Sequence, residues 1–213
     1  MESKLLQKLV DKTMTKERLF DQLKQNHTLL PEIIDGVSST KPAIRYGCAK
    51  VLMEYSEEKP EKLYKNMDFF VNLLESKYRI LRWIATTIIA NLTKVDRENK
   101  FDSIFDKYYS YIDDEYMVTV ANVVRNSGKI ALAKPYPTQK ITDKLLEIED
   151  ISLTSHLTEE CKRVITQHAI KTFDMFFSQM QQKDLVVLFV KKHCNSSRES
   201  LRKEAEKFLE RWD

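Results

Sequence analysis

The stretch AIRYGCAKVL, Ala43 to Leu52, returns in outline as ILRWIATTII, Ile80 to Ile89, and again as SLRKEAEKFL, Ser200 to Leu209. Each copy sets an aliphatic residue before an arginine, a small residue three positions after it, and a bulky apolar pair at the sixth and seventh positions after it. In the first copy Ile44, Cys48, Val51 and Leu52 fall at i, i+4, i+7 and i+8, the spacing of one apolar stripe along an α-helix. A chain that spells the same amphipathic helix three times is built from repeated units.

The residues around the second copy show what the unit is. Leu63, Met67, Phe70, Val71 and Leu74 form a stripe of their own, entered at Pro60, where a first-turn proline costs the helix nothing. Ser76 is placed to cap the helix that follows, whose stripe is Leu81, Ala85, Ile88, Ile89 and Leu92. So short a link between two helices forces them antiparallel. The same couple stands on either side: Ile33, Ile34 and Val37 before Ile44 to Tyr55, and Phe101, Ile104, Phe105, Tyr108 and Ile112 before Met117, Val120, Ala121, Val124 and Gly128. Ala131 to Thr138, with Pro135 and Pro137, reads as a loop. Beyond it Ile141, Leu145 and Ile148 precede Ile165, Ala169, Thr172, Phe173 and Phe176, with Thr158 as the cap. Leu185, Leu188 and Phe189 open the last couple, whose second helix is introduced by Ser196-Ser-Arg-Glu199, the pattern of a capping box.

The unit is therefore an antiparallel helix pair, repeated about five times with a period of roughly 35 to 45 residues. Its approximate bounds are 1–56, 57–95, 96–134, 138–180 and 181–213, all within one domain. One such pair cannot enclose its own apolar faces, and stacking pair on pair makes a continuous core. The small residue, Cys48, Ala85 or Ala205, allows close approach, and the bulky pairs fill the layer between units.

Composition agrees. Three glycines and five prolines in 213 residues are too few for the many turns of a sheet protein, while 42% apolar residues suffice for an extended core. The 35 basic and 32 acidic residues are intermixed and leave a formal charge of +3. No block of one sign supplies the field of a dedicated nucleic-acid binder. The amino terminus is charged and amphipathic, and the longest apolar run is about half a bilayer span. Cys48, Cys161 and Cys194 form no C-x-x-C pair, so the expected setting is the reducing cytoplasm.

The pattern resembles that of HEAT repeats, within the wider armadillo-like helical-repeat class. The residues that carry it are Ile44-Arg45 with Cys48 and Leu52, Leu81-Arg82 with Ala85 and Ile89, and Leu201-Arg202 with Ala205 and Leu209. The resemblance implies an all-α, right-handed α-solenoid, with the repeated arginine tying one repeat to the next. Residues 113 to 178 depart from the pattern. Val118 or Thr119 replaces the arginine there, and the fourth copy has no fixed register.

Catalytic constellations are not written in the chain. Asn126-Ser-Gly-Lys129 lacks the first glycine and the hydroxyl of a phosphate loop. Cys161 and His168 lie two helical turns apart, too far to share a metal, and His193-Cys194 stands alone. Asp113-Asp114-Glu115 sits where a helix begins, a position that favours carboxylates. Tyr109 and Tyr111 are expected to show their hydroxyls to water. No catalytic residue, metal or cofactor is assigned.

Candidate partner-binding residues come from helix geometry. With Ile44 and Leu81 facing the core, Tyr46 and Trp83 lie on the opposite side of their helices, followed one turn on by Lys50 and Thr87. Second helices line the concave surface of a helical solenoid. Asn91, Asn122 and Asn126 are assigned farther along it, with amides suited to an extended peptide backbone. The function expected is a non-enzymatic scaffold that receives a protein or peptide partner. The alternative is a nucleic-acid binder related in architecture to HEAT-like DNA-alkylation-repair glycosylases, for which Trp83, Arg79 and Lys50 are a small supply of the needed groups.

Overall fold

The computed structural model describes residues 3–212, and all regular structure among them is helical. The chain divides into two compact units, Met1–Asp96 and Arg97–Asp213.

The first unit contains α1 (Lys4–Val10), α2 (Lys16–Gln25), α3 (Leu30–Gly36), α4 (Pro42–Glu58), α5 (Pro60–Leu63), α6 (Met67–Leu73) and α7 (Arg79–Leu92). Ser3 and Thr15 cap α1 and α2 through their side-chain oxygens, and Pro42 and Pro60 occupy first turns. Residues up to 56 thus hold two helix pairs, where the sequence shows one. Helix α4 is the hub, packed against α1, α2, α3 and α7, while α6 backs α7. The stripe from Leu63 to Leu74 is interrupted by a 3-10 turn at Tyr64–Asn66, yet Leu63, Met67, Phe70 and Leu74 are all buried. The turn brings the Tyr64 hydroxyl to Asp96 Oδ1 at 2.5 Å.

The second unit contains α8 (Lys100–Tyr109), α9 (Met117–Ala133), α10 (Thr138–Leu146), α11 (Glu159–Phe176), α12 (Lys183–Lys191) and α13 (Glu199–Trp212). Helix α9 packs on α10 and α11, and α13 packs on α11 and α12. Thr158 caps α11 as expected, accepting from the Cys161 amide at 3.3 Å. An aromatic cluster, Phe101, Phe105, Tyr108 and Tyr109, fills the α8 side of the core.

Four expectations need correction in this unit. Helix α9 runs on to Ala133, so only Lys134–Pro137 remain of the expected loop; Lys134 is buried, with its ammonium on Asn99 Oδ1 at 3.1 Å. Tyr109 does not face water. Its hydroxyl is 3.1 Å from Ser127 Oγ inside the core, where burial pushes its pKa well up. On α12 the buried stripe is Val186, Phe189 and Val190, and Leu185 and Leu188 face outward. At α13, Ser196 stands too far ahead of the helix to form a capping box: its Oγ accepts from the Arg198 amide, and Glu199 pairs with Lys203.

Candidate functional site

Four of the second helices, α4, α7, α9 and α13, start from one device, while α2 and α11 start from threonine caps. Ser39, Ser76 and Ser196 each accept, through Oγ, the amide of the residue two positions on, at 3.1, 3.2 and 3.3 Å, and the helix begins at the next residue. Asp114 does the same with its carboxylate ahead of α9, at 2.9 Å to the Tyr116 amide. Such side-chain turns satisfy a donor that the first helical turn leaves without an intrahelical partner.

This device fixes the register and explains the repeated arginine. Arg45 and Arg202 each occupy the fourth position of their helix and reach back to the carbonyl of the turn serine: Arg45 to Ser39 at 2.9 Å and Thr40 at 3.2 Å, Arg202 to Ser196 at 3.0 Å. In these two copies the arginine therefore clamps the turn of its own repeat instead of hydrogen-bonding the next one. Its reach to the neighbour is aromatic, with the Arg45 guanidinium 3.8 Å from the Tyr78 ring centre and 4.7 Å from that of Tyr46. On α11 the fourth position is Lys162, whose ammonium bonds the Glu149 carbonyl. On α9 it is the buried Val120, not Val118 or Thr119.

In that register Tyr46 and Trp83 are both fifth residues, of α4 and α7, and Lys50 and Thr87 both ninth. All four are half-buried on two helices that pack together. Tyr46 meets Tyr78 edge-on at 6.3 Å and lines a depression of about 480 Å³, with Leu9, Met14, Pro42 and Gly47. The Lys50 ammonium is 3.9 Å from Glu54, and the Thr87 hydroxyl turns back to the Trp83 carbonyl at 3.3 Å.

The asparagines fare differently. Asn91 is completely buried, and its amide donates to Ser56 Oγ at 2.9 Å, joining α7 to α4. It is a core residue, withdrawn from the surface because the last turn of α7, Ile88 to Leu92, is buried on every side. Asn126 is buried as well, at 6% exposure. Asn122 is half-buried on the outward stripe of α9, with its amide on its own helix at the Val118 carbonyl, 2.7 Å away. The outward residue one turn beyond it is Arg125, which the sequence pattern did not single out.

Cys48 is buried, its thiol pushed up to about 12 by burial, while Cys161 and Cys194 are half-buried. No group of three or more metal-ligating side chains occurs among the described residues. No helix among them is long and apolar enough to cross a membrane.

These couples define an all-α repeat protein, an α-solenoid of the armadillo/HEAT-like class. Among solved structures it is similar to a designed armadillo repeat protein, with 16% identity, 98% of this chain and 92% of that one covered, and a TM-score of 0.60. It is also similar to a designed armadillo repeat protein in complex with the peptide (KR)4, at 15% identity, 98% and 91% coverage and a TM-score of 0.62. A third likeness, at 17% identity, 98% and 92% coverage and a TM-score of 0.61, is to computationally designed armadillo repeat proteins for modular peptide recognition. At such identities the likeness is one of fold. No family model matches the chain, and no curated protein matches its sequence.

Proposed function

We propose that residues 1–213 act as a single non-enzymatic repeat scaffold that binds a peptide or a partner helix along its second helices. The observation that carries this reading is the matched register of Tyr46 with Trp83 and of Lys50 with Thr87, partly exposed on adjacent helices. Aromatic side chains flanked by polar groups are the usual centres of binding energy at interfaces. The Arg45 clamp holds Tyr46 in place before any partner arrives, which lowers the ordering cost of binding. Similarity to designed proteins made for peptide recognition supports a peptide as the partner. The free thiols suit a reducing compartment, the cytoplasm.

The test is selection of ligands from a random peptide display library on the intact protein, followed by binding assays with Tyr46→Ala and Trp83→Ala. Peptides whose binding weakens about tenfold or more in each variant, while helical content is unchanged, support the reading. Failure to select any peptide, or equal binding by both variants, contradicts it.

A further inference from the structure

The second unit carries a surface that the candidate residues only touch. On α9 the outward stripe is Val118, Asn122, Arg125, Lys129 and Leu132, at spacings of four and three. Its ends are apolar and well exposed, Val118 at 43% and Leu132 at 46%. Its centre is cationic, and α9 contains no aspartate or glutamate at all. Arg125 is exposed and has no ion-pair partner among the described residues.

Helix α11, packed directly on α9, continues the pattern with Val164, His168, Lys171 and Met175. The two helices are in register here: the Thr172 hydroxyl donates to the Val124 carbonyl at 3.0 Å, and the Met175 side chain lies over Gly128. Arg125 and Lys171 are both close enough to His168 to act on its charge. Lys171 remains about half exposed, 51%, although it pairs with Glu204 at 3.4 Å, and Met175 is 46% exposed. A cationic band with apolar ends thus crosses two adjacent helices.

Building on the scaffold reading, we propose that the α9–α11 face binds an acidic peptide in which carboxylates alternate with apolar side chains. The carboxylates meet Arg125, Lys129 and Lys171, and the apolar groups cover Val118 at one end and Leu132 with Met175 at the other. Charge complementarity selects this occupant. A basic peptide would meet like charge at Arg125, Lys129 and Lys171. A nucleic-acid backbone fits less well, because the exposed aliphatic ends, Val118, Leu132 and Met175, offer a phosphate nothing.

Fluorescence anisotropy on the intact protein tests this with four labelled probes: a peptide alternating Glu and Leu, one alternating Ser and Leu, the peptide (KR)4, and single-stranded DNA. The Glu-Leu peptide should bind best, lose affinity as salt is added, and weaken at least about tenfold in the double variant Arg125→Glu, Lys129→Glu. Lys62→Glu, an exposed lysine of the first unit, should bind it normally. Circular dichroism of each variant establishes that it is folded. Equal or tighter binding of the neutral peptide, (KR)4 or DNA overturns the proposal, as does indifference to the double charge reversal. If the acidic peptide fails while library-selected peptides still depend on Tyr46 and Trp83, the scaffold reading stands and this inference falls. If no peptide of any charge binds, both fall.

Discussion

Arg45 shows how one side chain converts a sequence repeat into a structural one. Arg45 is buried at 5% exposure; its Nη1 donates to two carbonyls and its guanidinium lies against two tyrosine rings, while Nε has no hydrogen-bond partner among the described residues. Replacing the arginine with methionine keeps much of the packing and removes the donors to the Ser39 and Thr40 carbonyls. A charged hydrogen bond contributes about 1.5–3 kcal/mol, and Arg45→Met should lower stability by an amount of that order in urea denaturation. Lys162→Met should cost less, because an ammonium on one carbonyl makes fewer bonds than a clamped guanidinium. Equal losses in the two variants would mean that packing, not the carbonyl clamp, accounts for the residue. The arginine itself was legible in the sequence as a repeated letter. Its geometry was not, since the turn serine that receives it is one of many serines in the chain. Val120 and Lys162 escaped for the same reason: the feature they share with Arg45 is a position counted from a side-chain turn, and a search by residue type passes over it.

At the scale of helices, the two glycines near α4 respond oppositely to an added methyl. Gly47 lies inside α4, and a Cβ there would approach Leu9 Cδ1 at 3.1 Å, the end of a flexible side chain bordering an open depression. Helix propensity favours alanine by about 0.8–1 kcal/mol, so Gly47→Ala should raise the denaturation midpoint. Gly36 ends α3, and a Cβ there would fall 2.5 Å from Cys48 Sγ and 2.8 Å from Leu6 Cδ1, both buried. Gly36→Ala should lower stability by about 1–3 kcal/mol through overpacking. Midpoints that rank the variants the other way would show that the α3–α4 contact is looser than described. The α12 stripe illustrates where periodicity stops informing. Leu185 to Val190 is apolar without a break, so the sequence carries no phase, and the partner helix α13 decides that Val186, Phe189 and Val190 turn inward. The asparagines failed for a related reason. Asn91 stands one turn beyond Thr87, but the last turn of α7 is buried on every side, and its amide is satisfied by Ser56 on α4, a partner 35 positions away that spacing alone does not reveal.

On the scale of the whole chain, two half-buried histidines link folding to pH. His168 and His193 belong to the second unit, and both have pKa values held below the ordinary value of 6.5, chiefly by burial. Neighbouring positive charge adds to this: Arg125, Lys171 and Arg198 around His168, and Lys192 and Lys162 around His193, where Glu149 acts in the opposite sense. The unfolded chain therefore takes up protons first as pH falls through about 6.5, and acid shifts the balance toward unfolding. The contribution of these residues is fully present above that pH and is lost below it. Urea midpoints at pH 7.5 and 5.5 should differ, and the difference should shrink in His168→Gln with His193→Gln; an unchanged pH response would refute this origin. The all-α repeat architecture was plain from the sequence because it is set by local period, few glycines and short links. The division at Asp96 and the extra pair in the first 56 residues were not, since both depend on which helices touch.

The most direct test of the scaffold account uses the chain's two tryptophans, Trp83 and Trp212. In Trp212→Phe, Trp83 becomes the sole indole, placed on the proposed binding surface. Titration with a library-selected peptide should shift its emission saturably, and Tyr46→Ala should weaken that titration about tenfold. A peptide that binds by an independent measure, yet leaves Trp83 emission unmoved and its affinity unaffected by Tyr46→Ala, would contradict the account.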